Sequence, residues 1–324
     1  MNRLTAVIVV VLIIGAPLAQ GGGPRDETRL TLRHDILRMI NRDRAAHGLS
    51  PVQLDAGISV LGDAYCERQI REGTTGHFAT DGQPPYMRFS FAGVQDGISE
   101  NAAAWSANYT FSARALHEMA RRSQAAMMAE RPPHDGHRRT ILDPHATHVG
   151  IGVAWERGEF RLVQEFVRRY VTWTRPLPRA AAAGDSIVAS GAPIPGYRVE
   201  AISVHHEPVP QTMPAHVANA LDTYRLPKNR RDYLPRLRSF LRHRSDGTFA
   251  YVREEYTDGR RGDFNLRDDG SFHFNVPLHD GHGVYTVVVW VTKDGQKTPI
   301  AASNVSIRVS HSERSEESGR LAAR

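Results

Sequence analysis

The stretch TWTRPLPRAAAAGDS, residues 172–186, separates two parts of the chain with different hydrophobic periods. Before it, apolar residues recur first at helical spacing and then in alternation. After it, strand-like runs dominate. A chain patterned this way predicts two folding units, and a length of 324 residues agrees with two domains. Pro176, Pro178 and the alanine run predict a linker over residues 173–184.

In the first part, HDILRMINRDRAAHGL places Ile36, Met39, Ile40 and Asp43 at helical spacing, and Gly48 ends the helix. Asp55 reads as the N-cap of a second helix carrying Ile58, Leu61, Tyr65 and Ile70. GTTGHFATDGQPP reads as a loop from its glycines, Asp-Gly turn and prolines. A third helix is expected over residues 112–129, with Ala115, Met119 and Ala126 inward. HVGIGVAW and EFRLVQEFVRRYV then predict an antiparallel hairpin.

The second part holds GYRVEAISV, GTFAYVREEY, GSFHFNVPL, GVYTVVVWVT and SNVSIRV, bounded by Asp-Gly and Pro turns. Short strands at such spacing predict a β-sandwich over residues 185–310, immunoglobulin-like in strand pattern but without a Cys…Trp…Cys core. Residues 224–244, YRLPKNRRDYLPRLRSFLRHR, interrupt it and hold much of the basic excess behind a net charge of +6. Pro235 is expected to start a short helix there, with Leu234, Leu237, Phe240 and Leu241 inward and the arginines solvated. Outside the cell such a segment suits contact with a membrane or wall surface. No nucleic-acid reading motif accompanies it.

The N-terminal MNRLTAVIVVVLIIGAPLAQ reads as a signal peptide over residues 1–20, with an uncleaved anchor as the alternative. Its apolar run is shorter than the roughly 20 residues of a membrane span. The chain is therefore expected to be secreted or held at the cell-envelope exterior. Residues 311–324, charged and without apolar period, are expected to be disordered. Cys66, the single cysteine, lies on a helical apolar face and reads as a small buried hydrophobe rather than a nucleophile.

No Gly-rich phosphate loop, G-x-S-x-G turn or His-Glu-x-x-His helix is present. The candidates for chemistry are His77 in its Gly-rich loop, Glu100 among small residues, Glu130, and His137 within HDGHRRTIL. The neighbouring His134, His145 and His148 read as loop and surface residues.

INRDRAAHGLSPV, GHFATDG…YMRFSFAG, SENAA, GHRRTIL and GIGVAW…RLVQEF occur in this order over about 130 residues. Together they resemble the CAP superfamily, or SCP domain, of cysteine-rich secretory, venom antigen and pathogenesis-related proteins, in its disulfide-free bacterial form. The resemblance implies a CAP domain over residues 28–172 with a three-layer α-β-α sandwich, and a cleft holding two histidines and acidic residues. By position His77 and His137 match the two family histidines and Glu100 the glutamate of Gly-Glu-Asn. Glu130 is the nearest match to the second glutamate. Ser99 stands where glycine is usual, and Thr140 replaces an asparagine.

Two imidazoles with one or two carboxylates suit zinc or a similar divalent ion, with His77 and His137 as its ligands. Without metal, a carboxylate beside an imidazole makes an acid/base pair. The same groups also suit a purely structural role, bonding loops to a sheet. The expected function is a binding module for a small ligand, lipid, peptide or envelope component. The alternative is a metal-assisted hydrolase of peptidase or esterase type using the same cleft.

Overall fold

The computed structural model describes residues 24–310; the signal peptide expected over residues 1–20 and the tail expected over 311–324 lie outside the described residues. The first half runs α1 (Pro24–Ala46), β1 (Gln53–Leu54), α2 (Ala56–Glu72), α3 (Pro85–Phe91), β2 (Gly97–Ser106), α4 (Ala113–Ala129), α5 (Gly136–Ile141), β3 (His148–Glu156) and β4 (Glu159–Arg168). Its strands form one sheet in the order β1-β3-β4-β2, parallel only between β1 and β3.

Strand β3 sets the layers. Side chains alternate along a strand, so Val149, Ile151 and Val153 face one side and Gly150 and Gly152 the other. The branched residues pack with Leu32, Ile36 and Ile40 of α1 and with Leu116 and Met119 of α4. The glycines admit α2: a Cβ on Gly152 would fall 2.2 Å from the carbonyl carbon of Gly62. Helices α1 and α4 therefore cover one face and α2 the other, a three-layer α-β-α sandwich. Strand β1 is too short to pair the whole edge of β3. Side chains of α2 finish that job: Ser59 Oγ accepts from the Ile151 N–H at 2.9 Å and Asp63 from the Val153 N–H at 2.8 Å. Asp55 caps α2 as expected, accepting from the Ile58 N–H at 2.9 Å. On α4, Ala126 is exposed rather than inward; Ser123, Gln124 and Met127 are the buried residues of that turn.

The second half runs β5 (Val171–Arg175), β6 (Ala180–Ala182), β7 (Ile187–Pro193), β8 (Arg198–Glu207), α6 (Ala215–Ala218), β9 (Arg230–Tyr233), β10 (Ser239–His243), β11 (Phe249–Arg253), β12 (Phe272–Val276), β13 (Gly283–Thr292), β14 (Ile300–Ala301) and β15 (Val305–Ser310). One sheet has the order β12-β7-β5, the other β6-β15-β13-β8-β9 with β14 on β13. Ile187, Ala189 and Phe274 of the first share a core with Ile202, Val289 and Ile307 of the second. Among the described residues no helix is long and apolar enough to cross a membrane.

Two local expectations are corrected. Residues 173–184 are not a free linker: β5 pairs with β7, and β6 pairs with β15. The segment is also bonded back to the first half. The Leu177 N–H donates to Gln95 Oε1 at 2.8 Å, and Trp173 Nε1 donates to the Gln95 carbonyl at 3.1 Å. Secondly, no helix follows Pro235. The chain enters the β10–β11 hairpin instead, and Phe240 and Leu241 point to solvent.

Further hydrogen bonds join the halves, two of them through the Asn304 side chain. Asn304 accepts from the Ile98 N–H at 3.1 Å and donates to the Ile98 carbonyl at 2.9 Å. The Gly97 N–H reaches the Ala302 carbonyl at 3.0 Å.

Candidate functional site

The loop between α2 and α3 carries His77. Gly73, in the left-handed region at φ 69°, turns the chain out of α2. Tyr65 and Gln69 of α2 then donate to the Gly76 carbonyl at 2.9 and 2.7 Å, fixing the backbone just before His77. His77 Nδ1 meets Glu100 Oε1 at 2.9 Å. The other oxygen of Glu100 pairs with Arg88 of α3, whose guanidinium stacks over the Tyr65 ring with its carbon 3.4 Å from the centroid.

Beneath this cluster lies a second acid. Glu165 of β4 is the cross-strand partner of Glu100 on β2, and both are buried. Two carboxyls this close in a dry layer do not both ionise. Burial, and then the Glu100 charge, push Glu165 well above the usual carboxylate range, so it keeps its proton. Burial opposes the Glu100 charge too. The Arg88 charge and the hydrogen bond from His77 outweigh it and hold Glu100 below its ordinary value.

Glu130, immediately after α4, makes the matching arrangement at His137. A tight turn pairs Arg131 with His134 and brings the chain back. Glu130 Oε2 then accepts from the N–H groups of His137 and Arg138 at 2.9 and 3.2 Å, and Oε1 meets His137 Nδ1 at 2.5 Å. The intervening prolines thus lie in the turn and do not separate Glu130 from its partner. The rings of His77 and His137 stand 6.2 Å apart, centroid to centroid. Asn101, next to Glu100, donates to the His137 carbonyl at 3.1 Å; its own Oδ1 is buried without a partner.

These residues line one open cleft of about 800 Å³. His134 lines it as well, whereas His145 and His148 do not. Cys66 is buried away from it, and burial pushes its thiol up, so no thiolate nucleophile is available there. For a metal, each imidazole has Nδ1 on a carboxylate, the outer-sphere pattern of metal-binding histidines. Two ring nitrogens are half of a tetrahedral zinc site. Among the described residues no group of three or more His, Cys, Asp or Glu is arranged to hold an ion. The donor set by itself does not fit a resident zinc.

Residues 37–166 match the family model of the cysteine-rich secretory protein family, CAP. The first half is a CAP domain. One solved structure similar to the chain is an extracellular protein containing an SCP domain from Bacillus anthracis str. Ames, at 18% identity and a TM-score of 0.33. That match covers 46% of this chain and 45% of the other. No curated protein matches the sequence.

One wall of the CAP cleft comes from outside the CAP domain. Tyr224, in the connection between α6 and β9, accepts the Glu100 N–H on its hydroxyl at 2.6 Å. Its ring stands edge-on to His77 at 4.9 Å and 70°. The connection is tied down along the CAP loop: the Met213 N–H reaches the Thr80 carbonyl at 2.7 Å, and Asn219 accepts from the Thr75 N–H at 2.9 Å. Asp222, Thr223 and Arg225 join the lining beside Tyr224. Nothing local marks Tyr224 in sequence. Glu165 did leave a signal, an acid in the interior of a strand of β-formers.

Proposed function

We propose that the CAP cleft binds a polar, anionic ligand, a carboxylate- or phosphate-bearing component of the envelope or its surroundings, and that the chain is exported. The lining carries this reading. Arg138 and Arg225 line the cleft without a carboxylate partner among the described residues, beside His77, His134 and His137. Of the four acids in the lining, three are engaged: Glu100 and Glu130 by their histidines and Asp143 by Arg168 at 2.6 Å; the fourth, Asp222, is exposed. Leu142 and Pro144 are the aliphatic side chains of note, too few to cover a lipid tail. The second half, immunoglobulin-like in strand pattern, serves in this reading as the wall and mount of the site.

Hydrolysis is the second reading, favoured by the two imidazole–carboxylate pairs, each a competent general acid/base. Among the described residues neither imidazole is hydrogen-bonded to a serine, threonine or cysteine, so water would be the nucleophile. Isothermal titration with citrate and tripolyphosphate, with and without zinc, tests binding. Saturable binding is expected, weakened about tenfold, or ~1.4 kcal/mol, by His137→Ala and by Arg138→Gln at unchanged Tm. Equal affinity in wild type and both variants contradicts the assignment. Ester or peptide turnover lost in both His77→Ala and His137→Ala moves the reading to hydrolysis.

A further inference from the structure

A second cavity lies on the outer layer of the CAP domain, and it shares no lining residue with the cleft. Helices α1 and α4 run side by side there. Asp35 meets His117 Nδ1 at 2.6 Å, and Asp43 accepts from Gln124 Nε2 at 2.8 Å, so both helices run in the same direction. Between their outer edges is a groove of about 780 Å³. Arg38 and Arg42 of α1 face it from one side, and Arg114, Arg121 and Arg122 of α4 from the other.

The lining holds two carboxylates against these five guanidinium groups. Both are already engaged. Glu118 accepts from Arg121 at 2.9 and 2.7 Å and from Arg122 at 2.8 Å; Asp35 pairs with Arg38 and His117. Arg114 has no acidic partner among the described residues and is exposed. Helix stability does not account for this arrangement, because like charges at i,i+4, as in Arg38 and Arg42, repel. The bound carboxylates instead hold guanidinium groups in fixed directions along the groove.

We infer that the groove is a second binding site, for a flexible linear polyanion with closely spaced oxyanions of the polyphosphate or polycarboxylate kind. At 1.5 Å per residue, Arg38 and Arg42 are ~6 Å apart along their axis and Arg114 and Arg121 ~10.5 Å. Several arginines therefore grip successive oxyanions of one chain, each guanidinium offering a planar fork of donors. A flat anionic bilayer is the poorer fit, since the groove is concave and Met39 is its one apolar lining side chain.

The test is fluorescence anisotropy of labelled long-chain polyphosphate and of labelled polyglutamate with the full chain. Wild type is compared with Arg114→Gln/Arg121→Gln, and with an equally discharged control, Arg71→Gln/Arg175→Gln, at two exposed arginines outside the groove. All these side chains are exposed, so circular dichroism and Tm should be unchanged. The groove variant should bind at least tenfold more weakly and with a shallower salt dependence. The control should lose far less, and citrate binding at the cleft should persist in the groove variant. The polymer that binds tighter identifies the oxyanion. Equal losses in groove variant and control overturn the proposal. So does failure of both polymers to bind at 0.15 M salt, or binding only to vesicles of anionic lipid.

Discussion

Glu165 is a glutamic acid with 0% of its surface exposed, placed against a second glutamate. Its protonation has a sign that stability measurements read directly. The folded value lies well above the ordinary 4.5. As pH rises past that value the unfolded chain releases a proton that the native state retains. Stability therefore falls, by about 1.4 kcal/mol per pH unit until the folded value is reached. Glu100 has the opposite sign: its depressed value contributes stability above 4.5, lost as pH falls through the folded value. Glu165→Gln keeps the shape of the side chain and removes the titration. The urea midpoint of this variant should exceed that of wild type at pH 8 and match it at pH 4. A variant no more stable than wild type at pH 8 contradicts a protonated Glu165.

At the scale of elements, the approach of α2 to β3 depends on having no side chain at two positions. A Cβ on Gly152 would meet the Gly62 backbone at 2.2 to 2.6 Å, whereas a Cβ on Gly62 would find Gly152 Cα at 2.9 Å. Gly152→Ala should therefore cost more than Gly62→Ala, at or above the ~1–3 kcal/mol of an overpacked core. Urea denaturation of both variants checks the order; a Gly152→Ala protein within ~0.5 kcal/mol of wild type would mean that α2 does not sit against these glycines. The alternation in HVGIGVAW was legible as a strand because it is local. Which face receives a helix was not, because that depends on residues some 90 positions earlier, at Ser59 and Asp63. The same limit misled at two other places. Pro176, Pro178 and the alanines look like a tether, yet β6 pairs with a strand far downstream in the sequence, β15. Leu234, Leu237, Phe240 and Leu241 fit a helical period. The Asp246-Gly247 turn, with Gly247 at φ 83°, folds that stretch against β11 instead.

At the scale of the molecule, the two halves meet through specific bonds. Asn304 occupies both backbone groups of Ile98, Ser90 Oγ accepts from the Ser306 N–H at 2.8 Å, and Tyr86 donates to Glu207 at 2.9 Å. The connection that carries Tyr224 uses this junction to reach the cleft. His77, Glu100 and His137 were legible from five short motifs in one order, since each motif keeps its own local geometry. Glu130 was legible only as the nearest acid, and the turn at Arg131 and His134 is what brings it to His137. Tyr224 was invisible, because its place follows from how one half docks on the other. The proposed ligand cleft has His77 and His137 at its heart and Tyr224 as its outer wall. Histidine-detected ¹⁵N NMR of the full chain, titrated with citrate, tests it most directly. Saturable shifts of the His77 and His137 ring nitrogens are expected in wild type, and a weaker apparent affinity with an altered His77 signal in Tyr224→Ala. Unmoved His77 and His137 resonances at saturating citrate, or a Tyr224→Ala titration identical to wild type, would contradict it.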